Sequence, residues 1–534
     1  MKGLRFEVLT SSAPAAANRA DLACFIGLVK VRDAEPPADL RQWLQQEGWW
    51  PTATAAGARG GAPSLYQVPV PVASWERFDQ LFAWDQRPYD EATLGATYLG
   101  AAVRSFFAQG GRKCYVVSCG EPLAYGASRP ERDAALRQLV PLAMGQAGQR
   151  GSWYGLHHLF GLPGVSFVIL PDLAELACSL REENPPPSEL PPPLPEFTNC
   201  SEPGPLPARE RRVMRLPLPV CDDQDYHRWR AVVHRATRWL ADHRREMQLL
   251  AALPVPHRES AAAVGLLPFL HRQGWLSGAL AAGDCPAGAE GLDELAREAC
   301  SIASAFLQLG YPWLKTAYAG DLPAALEPPE GVLAGLLARN ALTRGTFRSA
   351  IPLPLQELVG VFPRLDQAQL HGLNPQAPWR ASPQAALNDR VSLFGPTPEG
   401  LRLLSDVTTS NEPTYRQAAI NRTIGLVMRA ARAVGEEYVF DSSGEHLWRQ
   451  VGSRLSDVLR AMQDAGALAA GGGDREAFLV RCDRSTMSQQ DIDSGRVVAQ
   501  VTIRPVAAIE TMRIQLAMGD GGRISLSSLG VEAA

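Results

Sequence analysis

At 534 residues the chain exceeds the length a single hydrophobic core usually sustains, so two or three domains are expected. A hydrophobic fraction of 46% with 20% charged residues fits a globular protein with a sizeable core, and 43 prolines raise its loop content. A formal charge of -4 excludes bulk attraction to nucleic acid or an anionic membrane, so neither a nucleic-acid partner nor direct membrane insertion is expected.

No run of about 18 apolar residues occurs, and the start MKGLRFEVLTSSAP lacks the apolar stretch of a secretory signal, which predicts a cytoplasmic product. The nine cysteines, at 24, 114, 119, 178, 200, 221, 285, 300 and 482, form no CxxC pair and no interleaved Cys/His spacing. They read as reduced thiols, with no disulfide framework and no metal site.

In chain order, Leu4, Phe6 and Val8 alternate with Arg5 and Glu7 before the run SSAPAAAN, which predicts an isolated strand on a linker over residues 1–20. ADLACFIGLVKV reads as a buried strand. Leu94, Tyr98, Ala101 and Phe106 then suit a helix that Gly110 and Gly111 stop before a KCYVVS strand. VSFVILPDL has the length and β-branched content of a central strand.

Residues 184–207 hold ten prolines and can sustain neither a helix nor an inner strand, so they read as an exposed insertion. A helix rich in arginine is expected from 223 to about 250, with Trp229, Val233, Ala236 and Leu240 buried and its basic residues solvated. AFLQLGYPWLKT at 305–316 reads as one strand and GVLAGLLARN as a helix. The alternation of elements gives an α/β to α+β, multidomain class.

The last third is the most regular. Ile420, Ile424, Val427, Met428, Ala431 and Val434 share one helical face, with Arg422, Arg429 and Arg432 opposite, as a basic outer stripe. A second helix places Leu447, Val451, Leu455, Val458 and Met462 inward, and a strand AFLVRCD follows. Val497, Ala499, Val501 and Ile503 then alternate with polar or smaller partners, as do Met512, Ile514, Leu516 and Met518, predicting two amphipathic strands. Ile524 and Leu526 can add a short third.

The P-loop, GxSxG, HExxH and strand-linked GxGxxG patterns are all missing from the sequence. His157, His158, Asp172 and Cys482 are the residues worth weighing for chemistry, and each reads better as packed or capping. No catalytic residue and no cofactor is assigned.

Several blocks, in order, resemble the contractile tail sheath family of phages, phage-tail-like bacteriocins and extracellular injection particles. They are ADLACFIGLV, VPVASWERFDQLF, LGAAVRSFFAQGGRKCYVVS, GVSFVILPDL, GYPWLKT and EPPEGVLAGLLARN. The C-terminal run EAFLVRCDRSTMSQQDIDSGRVVAQVTIRPVAAIETMRIQL follows the family pattern most closely. Two blocks depart from it: MKGLRFEVL stands where the family has a Pro-Gly-Val-Tyr arm, and LFGPTPEGLRLL where it has Trp-Gly-Ala-Arg-Thr.

The resemblance implies a non-enzymatic structural subunit that assembles with its own copies as a helix or stacked rings around an inner tube. Its further partners would be baseplate and cap proteins and sheath paralogues. It also implies outer domains over 21–345, an inner domain over 346–518 and a tail over 519–534. The strands at 496–504 and 511–518 would pair with another copy or with its Leu4–Val8 strand, and Arg422, Arg429 and Arg432 would meet an acidic inner tube. A sheath-like baseplate or cap component is the alternative, with a hydrolase as a remote third. Assembly would take place in a bacterial cytoplasm, or the chain would belong to a released tail-like particle.

Overall fold

The computed structural model describes residues 20–50, 64–86, 97–182, 217–276, 301–365 and 387–506, a few short breaks aside, and the backbone strands 512–518 and 524–528. The expected Leu4, Phe6, Val8 strand and the proline-rich 184–207 segment lie outside the described residues.

The strands in chain order are β1 (Ala23–Gly27), β2 (Val70–Val72), β3 (Cys114–Ser118), β4 (Phe167–Ile169), β5 (Leu180–Glu182), β6 (Leu218–Val220), β7 (Gln248–Ala252) and β8 (Leu307–Tyr311). There follow β9 (Trp313–Thr316), β10 (Leu358–Phe362), β11 (Ser392–Thr397), β12 (Gly400–Leu403), β13 (Phe478–Arg481), β14 (Val497–Ile503), β15 (Met512–Met518) and β16 (Ile524–Ser528).

Eight of them form one sheet in the order β12-β11-β8-β7-β4-β1-β3-β2. From β11 to β3 neighbouring strands are parallel, and antiparallel β12 and β2 close the two edges. Parallel strands need helical crossovers, and crossovers on both faces bury both sides of every central strand. Along β1, Cys24 and Ile26 point into one core while Ala23 and Phe25 point into the other. The Asp223–His243 helix covers the first face through Trp229, Val233, Ala236 and Leu240, and the Leu99–Ala108 and Glu330–Thr343 helices cover the second.

Those last two helices pack very close. A Cβ at Gly331 would lie 2.5 Å from the Ala102 backbone, and one at Gly335 would lie 2.5 Å from the Phe106 carbonyl oxygen. Only glycine at both positions permits that approach.

Four expectations need correcting. The basic helix ends at His243 rather than near 250, because Gln248–Ala252 is drawn into the sheet as β7, between β4 and β8. Its Arg228, Arg230 and Arg235 are buried instead of solvated, Arg228 facing Asp133 at 3.5 Å and Arg235 donating to the Val140 carbonyl. The 305–316 strand is two: Pro312 has no N–H to give a ladder, and the chain leaves the large sheet there to pair β9 with β10. The division expected at 345/346 falls later, since β11 and β12 continue the large sheet.

Cys178 and Cys221 form a disulfide, so the expectation that all cysteines are reduced fails for this pair. Sequence spacing could not reveal it, because β5 and β6 pair antiparallel and bring together residues 43 apart.

The C-terminal part has its own core. The Ala418–Tyr438 and Glu445–Asp464 helices pack against the antiparallel sheet β13-β14-β15-β16.

Candidate functional site: the arginine junction and the C-terminal sheet

The Ala418–Tyr438 helix has two working faces. Ile420, Ile424, Val427, Met428, Ala431 and Val434 enter the C-terminal core, as their helical spacing predicts. The opposite face crosses the N-terminal ends of the large sheet's strands instead of meeting water. Arg422 donates both terminal nitrogens to Asp406, at 2.9 and 2.7 Å. Arg429 reaches Ser166 Oγ and the carbonyls of Gly164 and Val165, just before β4. Arg432 pairs with Glu246, just before β7, and Asn421 donates to the Ala305 carbonyl, just before β8.

The expectation that Arg422, Arg429 and Arg432 form an outer stripe against an inner tube is therefore corrected. Arg422 is 5% exposed. Guanidinium suits such a seam because its planar fork of donors satisfies carboxylates and clustered carbonyls while it stays charged. Burial lowers Arg429 to about 10, with Glu246 and Asp21 opposing the shift, so it remains a cation at neutral pH. Burial also acts to raise Asp406, but the charge and hydrogen bonds of Arg422 outweigh it and hold the carboxyl below its usual range.

Asp406 and Glu246 were missed by sequence reasoning. Glu246 lies in the charged run DHRRE and Asp406 among serine and threonine, and nothing periodic links either acid to its arginine.

In the C-terminal sheet β14 is paired on one side with β13, through Phe478↔Ile503 to Arg481↔Gln500, and on the other with β15, through Val497↔Met518 to Ile503↔Met512. Within one chain, then, the strands carrying Val497, Ala499, Val501 and Ile503 and Met512, Ile514, Leu516 and Met518 pair with each other. Both edges of β14 are thus taken within the chain, as are both edges of β15, by β14 and β16, where pairing with another copy or its Leu4–Val8 strand was expected. The side chains of Val497, Ala499, Val501 and Ile503 are buried against the two helices. The outer edges belong to β13 and β16.

At the opposite end of the large sheet, Asp172 follows β4 at the crevice beside β1, where doubly wound sheets commonly bind ligands. Here its carboxylate is held by backbone N–H groups. Oδ2 accepts from Leu28 N at 2.7 Å and Oδ1 from Tyr98 N at 2.6 Å, and burial raises it to about 7 against those bonds. Asp172 thus ties three loops together, the packing role expected of it.

His157 and His158 sit among Trp49, Phe160 and Trp239. Burial lowers His158 to about 3, which keeps it neutral. Cys482, raised to about 12 by burial, is a poor nucleophile. Among the described residues no group of His, Cys, Asp and Glu side chains could hold a metal ion, and no helix is long and apolar enough to cross a membrane.

Taken as a class, the architecture is a doubly wound α/β body joined through arginines to a smaller α+β unit that ends in an antiparallel sheet. No family model and no curated protein matches the chain. Among solved structures it is similar to a chain of the anti-feeding prophage baseplate determined by cryo-EM with 6-fold symmetrisation, at 16% identity over 96% of each chain and a TM-score of 0.52. It is also similar to a chain of the anti-feeding prophage helical sheath in its contracted state, at 16% identity over 95% of this chain and 96% of that one, with a TM-score of 0.51. The chain shares the fold of these baseplate and helical-sheath chains along nearly its whole length.

Proposed function

We propose that the chain is a structural subunit of a contractile sheath, which surrounds an inner tube and drives it into a target by contraction. The observation that carries this reading is the likeness to a contracted helical sheath chain over 95% of the length. Copies would associate head to tail, a heterologous contact that generates rings and helices. Partners would be the inner tube, baseplate and cap proteins and sheath paralogues, with assembly in a bacterial cytoplasm before release of the particle.

Linkage between copies would use the outer edge of β13 or β16, with the Leu4, Phe6, Val8 segment of another copy adding a strand by backbone hydrogen bonding. Electron microscopy of the chain co-expressed with its tube protein tests the proposal. Long sheaths are expected, and Phe6→Asp with Val8→Asp should abolish them while leaving a folded subunit. A folded wild-type chain that never polymerises would overturn it.

The likeness to a baseplate chain supports a second reading, a sheath-like component confined to one ring. Copy number per particle separates the two, being many rings' worth for the first and one ring's worth for the second.

A further inference from the structure

The loops on either side of β11 and β12 carry a cluster of polar atoms that the fold does not use. Arg390, just before β11, has no exposed surface. Its Nη1 donates to the carbonyls of Thr409, at 3.0 Å, and Ser410, but Nε and Nη2 have no hydrogen-bond partner. Arg416 hangs from the same segment, its carbonyl accepting from Thr408 N at 2.8 Å, and its buried Nε is also without a partner. Asn388 and Asn411, on the same two loops, each bury an unpartnered Oδ1. Buried polar groups are normally paired, so the three unsatisfied guanidinium nitrogens of Arg390 and Arg416, on two touching loops, call for an acceptor.

The charges do not cancel either. The positive charge of Arg416 acts on Arg390, and the cation stays protonated at neutral pH even though burial lowers it to about 10. The acid acting on it from this neighbourhood, Asp389, makes no hydrogen bond to it. At the junction Arg422 and Arg432 each face a carboxylate, whereas here two guanidinium groups converge with three nitrogens unpartnered and no carboxylate bonded to them.

We infer that Arg390 and Arg416 form a binding site for an oxyanion, a carboxylate or phosphate group that takes the spare guanidinium donors. Arg416, half-buried, is the entrance and Arg390 the floor. Planar forked donors match such a group in two-point contact. The oxyanion can be a free ion or an acidic side chain of an adjoining copy, and the chemistry recognised is the same.

The test uses the full-length unassembled chain and inorganic phosphate, titrated against chloride at constant ionic strength. Wild type should show a saturable rise in thermal midpoint and a calorimetric binding isotherm. Arg416→Gln should melt at the wild-type temperature in chloride and bind phosphate at least tenfold more weakly. Arg390→Lys, which keeps one charge but loses the fork, should weaken binding as well. No isotherm with wild type, or equal binding by Arg416→Gln, would overturn the site. Binding that disappears on polymerisation assigns the group to an adjoining copy's carboxylate, and binding that persists assigns a free ion. Because the first arm needs no polymer, its failure is independent of the sheath proposal.

Discussion

The body of the large sheet and the junction beneath it bury acids in opposite ways. In the body Asp172, Glu327 and Glu330 are each about 1% exposed and meet mainly neutral groups: backbone N–H for Asp172, and Ser105 for Glu327 at 2.6 Å. Burial raises Asp172 and Glu327 to about 7 and Glu330 well above its ordinary value. At the junction Asp406 is as deeply buried, yet Arg422 holds it below the carboxylate range. Burial alone therefore does not decide the state of an acid; the charge of its neighbour does. The body can protonate its acids and keep its packing, while the junction depends on both members of each pair.

That contrast sets the order of expected effects. Arg422→Met leaves Asp406 buried and unpaired, and should cost about 3–5 kcal/mol in denaturant unfolding. Adding Asp406→Leu should restore most of it, and a double variant as weak as the single would break the account of the junction.

Next comes pH. Asp172 and Glu327 are raised to about 7 in the fold, so their contribution is full below the unfolded range near about pH 4 and is lost as pH rises through about 7, a loss on the order of a few kcal/mol, and Glu330, raised well above its ordinary value by burial, acts in the same direction. Asp406 is lowered, so its contribution is present above about pH 4 and lost in acid. Urea midpoints against pH should fall on both sides. Glu327→Gln should flatten the neutral limb, while an unchanged slope would show that the body's acids are ionised after all.

A smaller effect, about 1–3 kcal/mol, is expected from Gly335→Ala, whose methyl group meets the Phe106 carbonyl. Smallest is Arg454→Ala, which removes an exposed contact to Glu437 and should leave the unfolding midpoint where it was.

Much of this architecture is legible in the sequence because burial on both faces leaves a chemical trace. The apolar runs at ACFIG, CYVVS and FVI are strands buried on both faces, and the apolar periodicity at 420–434 is a core-facing helix. The junction is illegible for a physical reason. A helical wheel shows that Arg422, Arg429 and Arg432 lie away from the apolar stripe, but it cannot distinguish water from the carbonyls and carboxylates of another core. The same ambiguity hid Arg228, Arg230 and Arg235. For Val497–Ile503, alternation was sufficient to recognise a strand and silent about which chain supplies its neighbours.

The disulfide between Cys178 and Cys221 has a practical consequence for engineering. Its Cα atoms stand 4.8 Å apart, and β5 and β6 lead away from it as a paired ribbon that ends with Glu182 opposite Leu218. Any replacement cassette whose own termini lie close together can be grafted there without spreading the two ends, the condition under which domain insertions are tolerated. If the chain polymerises, each graft would repeat once per subunit, turning the ribbon into a mounting post for multivalent display.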